Sequence, residues 1–379
     1  MSETVFRNAR LVLADEVVEG SLRIADGRIA AIDGGPSQAG EDFEGDYLIP
    51  GLVELHTDHL ENHYRPRPGV FWNPLGALMA HDVQIAGSGI TTVFDAVRIG
   101  SDPETPGGMS EHVQVLVDAI ATGVADGRLR ADHLIHLRCE LPAPDVVDDF
   151  ERFADLPLVR LASVMDHTPG QRQYQTVAKY REYYMERMRL TPAEMDAFIA
   201  ARHEEQARYS DKHRKAILKR GLAAGIAFAS HDDATPEHVS ESVADGVSIA
   251  EFPTTMVAAE ASHAAGLAVL MGAPNVVRGG SHSGNIAAAD LAREGCLDVL
   301  SSDYVPGALI HAAFQLPEIA GNISLPAAIR MVSATPAQAA HLDDRGEIAP
   351  GMRADLVRVR LHGDMPVVKG VWRQGRRVS

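Results

Sequence analysis

The stretch 51-GLVELHTDHLE-61 decides how the rest of the chain reads. A short apolar run from Leu52 leads into His56, Asp58 and His59, and a strand that is apolar on both faces belongs inside a parallel sheet. His56 and Asp58 are two residues apart, a spacing that sends both side chains to the same side of a strand. Seven further apolar, β-rich runs follow: Ile90 to Asp95, Leu134 to Cys139, Leu158 to Met165, Gly225 to Ser230, Val247 to Phe252, Leu267 to Gly272 and Leu297 to Ser302. They alternate with helical stretches. Eight such units between residues 51 and 342 predict an α/β fold, a (β/α)8 TIM-type barrel. The competing open, doubly wound sheet carries a glycine fingerprint after its first strand, and HTDH stands there instead.

Outward from the barrel, both chain ends have a different texture. TVFRNARLVL and SLRIADGRIAAI at the start, and RADLVRVRL and VVKGVWRQGRRV at the finish, are short alternating segments separated by glycine and aspartate turns. Residues 1–50 and 343–379 are therefore expected to build one small discontinuous β-sandwich domain beside the barrel domain of residues 51–342. After the fourth run, residues 174–220 read as a helical insertion, a surface hairpin or lid.

Composition excludes several classes of function. The 379 residues are 45% hydrophobic and 23% charged, which suits a large folded core and not a disordered chain. A net charge of −17 without a basic run argues against nucleic-acid binding. No apolar stretch reaches the roughly eighteen residues of a membrane span, and MSETVFRNAR lacks a signal-peptide core, so the expectation is a cytoplasmic protein without membrane contact. Cys139 and Cys296 are not in a CxxC pair, which removes support for a disulfide framework or a thiolate zinc site.

The chemistry stands where the strands end. The C-terminal ends of barrel strands form the active face. There the first run supplies His56, Asp58 and His59, the third Glu140, the fourth Asp166 and His167, the fifth His231, Asp232 and Asp233, and the eighth Asp303. One histidine beside a strand is more often a satisfied polar residue than a ligand. Metal-compatible residues at five independent strand ends are hard to explain as decoration, and imidazole with carboxylate suits zinc, manganese or iron. One or two such ions can activate water for hydrolysis. Asp232 and Asp233, before TPEH, are expected to cap the next helix.

At these residues a resemblance becomes specific. GLVELHTDHLE, HLRCELP, SVMDHTPGQRQY, ASHDDAT, AEFPTT, GAPNVVRGGSHSGN and SSDYVP look like the phosphonate-utilisation branch of the amidohydrolases, the ribose 1-methylphosphonate 5-triphosphate diphosphatases, over nearly the whole chain. The superfamily's usual His-x-His is here His-x-Asp, carried by His56 and Asp58. The resemblance implies Glu140 as bridging ligand, His167 and His231 as further ligands, and Asp303 as both ligand and catalytic proton acceptor. His59 departs from it, since asparagine is expected there.

The resemblance further implies a divalent metal, zinc in first place, and a phosphorylated sugar phosphonate as substrate. Hydrolysis would release pyrophosphate and leave the 5-phosphate for carbon–phosphorus lyase chemistry. The residues alone establish only metal-assisted hydrolysis, so a conventional amidohydrolase acting on a C–N bond stays open. For a polyanionic substrate, Arg278, Ser281 and His282 in the glycine-rich VRGGSHSGN loop form one candidate clamp. Arg172 in GQRQY with Lys179 forms a second, and Arg65 and Arg67 are weaker candidates. A homo-oligomer is the expected assembly.

Overall fold

Each apolar run forms a strand in the computed structural model: Leu52–Thr57, Ile90–Ile99, Asp132–Glu140, Val159–Met165, Ala227–His231, Ile249–Glu251, Ala268–Gly272 and Val299–Ser301. The structure describes residues 3–35, 37–104, 109–174, 176–281 and 284–379. The eight strands share one sheet whose hydrogen-bonded order is their order in the chain. The last returns to the first. Thr57 and Asp303 form a parallel bridge, the Asp58 N–H donates to the Asp303 carbonyl at 3.1 Å, and the Asp303 N–H donates to the His56 carbonyl at 3.1 Å. The sheet is thereby closed into a (β/α)8 barrel.

The chain makes two compact units, Met1–Asp95 with Ala119–Leu134 and Met271–Ser379, and Ala96–Asp118 with Ile135–Leu270. In the first unit, all six residues of Leu52–Thr57 are buried, as a strand covered on both faces requires. This unit also contains the sheet made from the chain ends. Its strands run in the order Arg376–Arg377, Met365–Arg373, Leu356–His362, Tyr47–Pro50, Glu3–Val12, Val17–Ala25, Arg28–Gly34, with Glu41–Asp42 paired to Glu3–Val12. The two ends of the chain meet where Ile49 pairs with Val357 in antiparallel register. Phe6, Phe43 and Trp372 fill the core of this sheet, with ring centroids 4.7, 4.8 and 5.8 Å apart. Asp26 and Gly27, both at positive φ, make the tight hairpin turn after Val17–Ala25.

In the second unit, the insertion is a pair of helices, Val177–Met188 and Pro192–Ala223. Thr191 and Glu194 form a complete capping box at the start of the longer helix, with Pro192 in the first position after the cap. Tyr180, Met195 and Ile199 make a small core between the helices. Among the described residues no helix is long and apolar enough to cross a membrane.

Gly221 lets the long helix lie close to the strand that carries His231. A Cβ there would stand 2.4 Å from Cζ and 2.5 Å from Cε2 of Phe228, a ring that is completely buried. Helix propensity alone favours alanine by about 1 kcal/mol, whereas overpacking a core costs about 1–3 kcal/mol. Gly221→Ala should therefore destabilise the protein, as a lower chemical-denaturation midpoint. A raised midpoint would show that the ring can move aside.

Candidate metal centre

In the first unit, His56 is the last residue but one of its strand, and Asp58 stands at the N-cap position of the short helix His59–Tyr64 without a capping hydrogen bond from its side chain. His56 Nε2 is 3.8 Å from Asp58 Oδ1. Asp303 joins them, and one ligand atom from each of the three lies within 4.8 Å of the other two. Asp303 sits at φ 54°, a conformation that costs a non-glycine residue energy and recurs at functional sites. Its backbone is held on both sides, because its carbonyl also accepts the Thr57 hydroxyl at 3.0 Å.

Beneath this group is a residue that pattern reading passed over. Glu54 is fully buried, its Oε1 accepts the His56 N–H at 2.7 Å, and its Oε2 accepts the Ser302 N–H. Burial pushes its carboxyl up to about 7. A single side chain thus grips the backbone of the first and the last strand beside His56 and Asp303. The visible signal was an acid inside an otherwise apolar run.

In the second unit, His167 and His231 stand with ring centroids 5.6 Å apart. Each has its Nδ1 held by a carboxylate, His167 by Glu140 at 2.6 Å and His231 by Glu251 at 2.7 Å. The Nε2 side of both rings faces Asp232 Oδ2, at 3.9 Å from His167 and 3.4 Å from His231. Among the described residues no donor hydrogen-bonds to this buried oxygen. A buried carboxylate oxygen without a donor, facing two imidazole nitrogens, is a donor set that fits a cation.

The expected capping by Asp232 and Asp233 is overturned. Thr235 caps helix Pro236–Ala244: it stands directly before the helix with the extended backbone of a cap, and its hydroxyl accepts the His238 N–H. Asp232 turns away at φ 56° into the metal-competent group with His167 and His231. Asp233 instead pairs with Arg172.

The family is decided by a match to the Amidohydrolase family over residues 83–379. The chain belongs to the amidohydrolase family. It is 48% identical over 99% of its length, and 100% of the relative's, to the alpha-D-ribose 1-methylphosphonate 5-triphosphate diphosphatase of Escherichia coli strain K12. An adenine deaminase of Desulfatibacillum aliphaticivorans is 26% identical over 94% of this chain and 55% of its own. Among solved structures, N-acetyl-D-glucosamine-6-phosphate deacetylase from Mycobacterium smegmatis aligns with a TM-score of 0.62 at 17% identity, covering 100% of both chains. The 5-methylcytosine deaminase of Klebsiella pneumoniae gives 0.64 at 15%, covering 99% of this chain and 98% of its own. At these identities the structural likenesses show the fold alone.

This amidohydrolase is a hydrolase of a metal-dependent family, and its histidines carry the orienting partners such ligands need. Glu140 is held by several donors. Burial opposes its charge, but the His167 imidazole and the Arg98 guanidinium, 3.1 Å from Oε2, hold the carboxyl well below the usual range. Its oxygens accept from Arg98, from the His167 ring and from the His167 N–H at 3.0 Å, so in this structure it orients His167. Glu251 does the same for His231. It is the last residue of strand Ile249–Glu251, inside the sixth run, and a carboxylate at the end of an apolar run does not reveal in sequence which ring it will meet.

The expected anion clamps fall out differently. Arg172 is buried, its guanidinium donating to Asp233, to Glu241 at 3.3 Å and to the His231 carbonyl at 3.4 Å, so its charge is matched within the protein and it braces the loop after His231. Lys179 is exposed on helix Val177–Met188. Arg278 is exposed in the last turn of helix Ala273–Arg278, and Ser281 is half-buried. His282 lies outside the described residues. Asn275 ties this loop down, donating to the Ile286 carbonyl at 3.3 Å and accepting the Ala288 N–H at 3.0 Å. His59 has its Nδ1 3.1 Å from His81 Nδ1. Burial and the His81 and His63 rings push it down to about 4, so it is neutral.

His231→Ala should lower metal content in a folded protein, read by elemental analysis. Glu251→Gln leaves the ligand in place but loosens its orientation, so metal affinity should fall about 10- to 100-fold in a chelator competition. Unchanged affinity in Glu251→Gln would show that the Glu251 contact does not orient a ligand.

Proposed function

We propose that this amidohydrolase hydrolyses α-D-ribose 1-methylphosphonate 5-triphosphate to the 5-phosphate and pyrophosphate in phosphonate catabolism. The observation that carries the reading is the 48% identity extending over 99% of this chain and 100% of the diphosphatase of Escherichia coli. Both strand-end groups support it. His56, Asp58 and Asp303 would hold metal in the first unit, and His167, His231 and Asp232, with Glu140 as orienting or bridging carboxylate, in the second. Zinc suits these mixed imidazole and carboxylate sets, with manganese or iron as alternatives and one or two ions. Two buried cysteines, Cys139 and Cys296, fit a reducing cytoplasm, and a homo-oligomer is the assembly we propose.

Bound divalent ions would supply charge neutralisation at the phosphoryl oxygens and acidify water. The chain's own residues do the rest. Asp303 accepts the proton of the water that attacks phosphorus, the α–β anhydride bond breaks, and pyrophosphate leaves. Asp303 suits this task because its backbone is fixed from both sides and its carboxylate stands beside His56 and Asp58. Arg278 and the glycine-rich loop with Ser281 and His282 would receive the polyphosphate, with Lys179 as a more distant positive charge and Arg172 bracing the His231 loop.

Phosphorus NMR of the products from the ribose phosphonate triphosphate should show pyrophosphate with the 5-phosphate. Stepwise release of single phosphates, or activity only on ring amides and amines, would point to another reaction. Asp303→Asn keeps shape but removes the base, so single-turnover rate should fall about two to four orders of magnitude while most metal remains. A rate within a few-fold of wild type would take the proton-transfer role from Asp303. Arg278→Ala should reduce turnover of the triphosphate about ten- to a hundredfold, since charge-assisted contacts are worth about 1.5–3 kcal/mol, and spare a small neutral ester.

A further inference from the structure

A separate histidine cluster lies wholly within the first unit. His59 opens helix His59–Tyr64, His63 follows one turn later, and His81 lies in helix Pro74–Gly87. The i, i+4 spacing places His59 and His63 on one helix face, and that face meets His81. Ring centroids are 4.8 Å apart for His59 and His63, 5.4 Å for His59 and His81, and 6.1 Å for His63 and His81. One ring nitrogen of each lies within 4.8 Å of the other two.

The contact between His59 Nδ1 and His81 Nδ1, 3.1 Å, admits two accounts. The rings can share a proton, or they can share a cation. A hydrogen bond accounts for two of the rings; the third, His63, has its Nε2 3.3 Å from Gln84 Oε1 on the facing helix, which leaves its Nδ1 to serve as a ligand. With zinc–nitrogen bonds of about 2.0–2.1 Å, the nitrogens of a tetrahedral site stand about 3.3–3.4 Å apart, so this pair needs to open by only a few tenths of an ångström.

The far side of His81 is prepared in the manner of a metal ligand. Its Nε2 is 2.8 Å from Asp95 Oδ1, and the other Asp95 oxygen is 2.7 Å from His133 Nδ1. His133 Nε2 in turn lies 3.3 Å from Asp82, which also accepts the backbone N–H groups of Arg130 at 2.8 Å and Ala131 at 3.0 Å. All four of these side chains are buried. An ionised Asp95 only accepts, so His81 donates from Nε2 and presents a lone pair at Nδ1, toward His59. His63 is half-buried, which leaves an approach from solvent.

We propose that His59, His63 and His81 bind one zinc-class divalent cation, distinct from the strand-end groups, which pins helix His59–Tyr64 to helix Pro74–Gly87. An all-imidazole set selects zinc, cobalt, nickel or copper over magnesium and calcium. No ligand residue is shared with the His56, Asp58 and Asp303 group. Asp58 is the N-cap of the pinned helix, so the ion fixes the backbone that leaves that group.

The test uses the full chain, stripped of metal and titrated with zinc alone, with bound zinc counted per chain after gel filtration and the melting temperature followed alongside. Wild type should bind one zinc more per chain than His63→Gln or His59→Asn, and its melting temperature should rise further on zinc addition than theirs. His231→Ala, changed in the group with His167 and Asp232, should keep this zinc. Equal zinc counts and equal melting shifts in wild type and His63→Gln would overturn the proposal. His63 is half-buried and its replacement leaves the His81–Asp95 pair intact, so this variant decides the question even if His59→Asn does not fold. Cobalt substitution gives a second reading: in a His231→Ala background, the spectrum without further change minus that with His63→Gln added should leave a visible absorption band, and a flat difference overturns the proposal.

Discussion

A carboxylate buried at the seam of the barrel holds the candidate centre together. Glu54 accepts the His56 N–H with one oxygen and the Ser302 N–H with the other, joining the first strand to the last. Taking a carboxylate out of water costs several kcal/mol unless its oxygens are satisfied, and here backbone donors from two strands satisfy them. A barrel closed by ladder bonds alone could slide by a residue. A side chain bonded to named N–H groups on both sides opposes such a slip, and it sets His56, Asp58 and Asp303 in register.

The same economy of means governs the histidines. Glu140 holds His167, Glu251 holds His231, and Asp95 holds His81, each by one ring nitrogen at 2.6 to 2.8 Å. A carboxylate at one nitrogen fixes the tautomer, so the other presents a lone pair in a defined direction. The cost of burying so many ionisable groups is offset by their mutual pairing. Arg98 beside Glu140 and Arg172 beside Asp233 extend that pairing outward, which is why basic residues near the site serve the protein's own carboxylates first.

Backbone conformation contributes at three strand ends. Asp232, Phe252 and Asp303 follow the fifth, sixth and eighth strands with φ of 56°, 53° and 54°, and each donates its N–H to a carbonyl of the adjacent strand. The kink ends the pleat and re-aims the side chain, which strand alternation alone would have sent elsewhere. For this reason Asp232 reads from sequence as a helix cap and stands in the structure with His167 and His231.

The amino-acid sequence by itself determined the barrel, because strands buried on both faces need unbroken apolar runs and all eight are visible as such. It also placed metal-compatible residues at strand ends, since His56, Asp58, Glu140, His167, His231 and Asp303 each close a run or follow it within two residues. Only the tertiary structure decided which of these touch. Glu140 turned toward a histidine and an arginine, Arg172 turned inward to Asp233, Glu54 came to hold the backbone of His56 in the first unit, and Asp232 and Glu251 came to face His231 in the second. The division has a physical cause. Periodicity records which face a residue occupies, a local property of the backbone, whereas hydrogen-bond partners and metal geometry depend on side chains from strands far apart in the chain, whose register and φ angles are set only when the sheet closes.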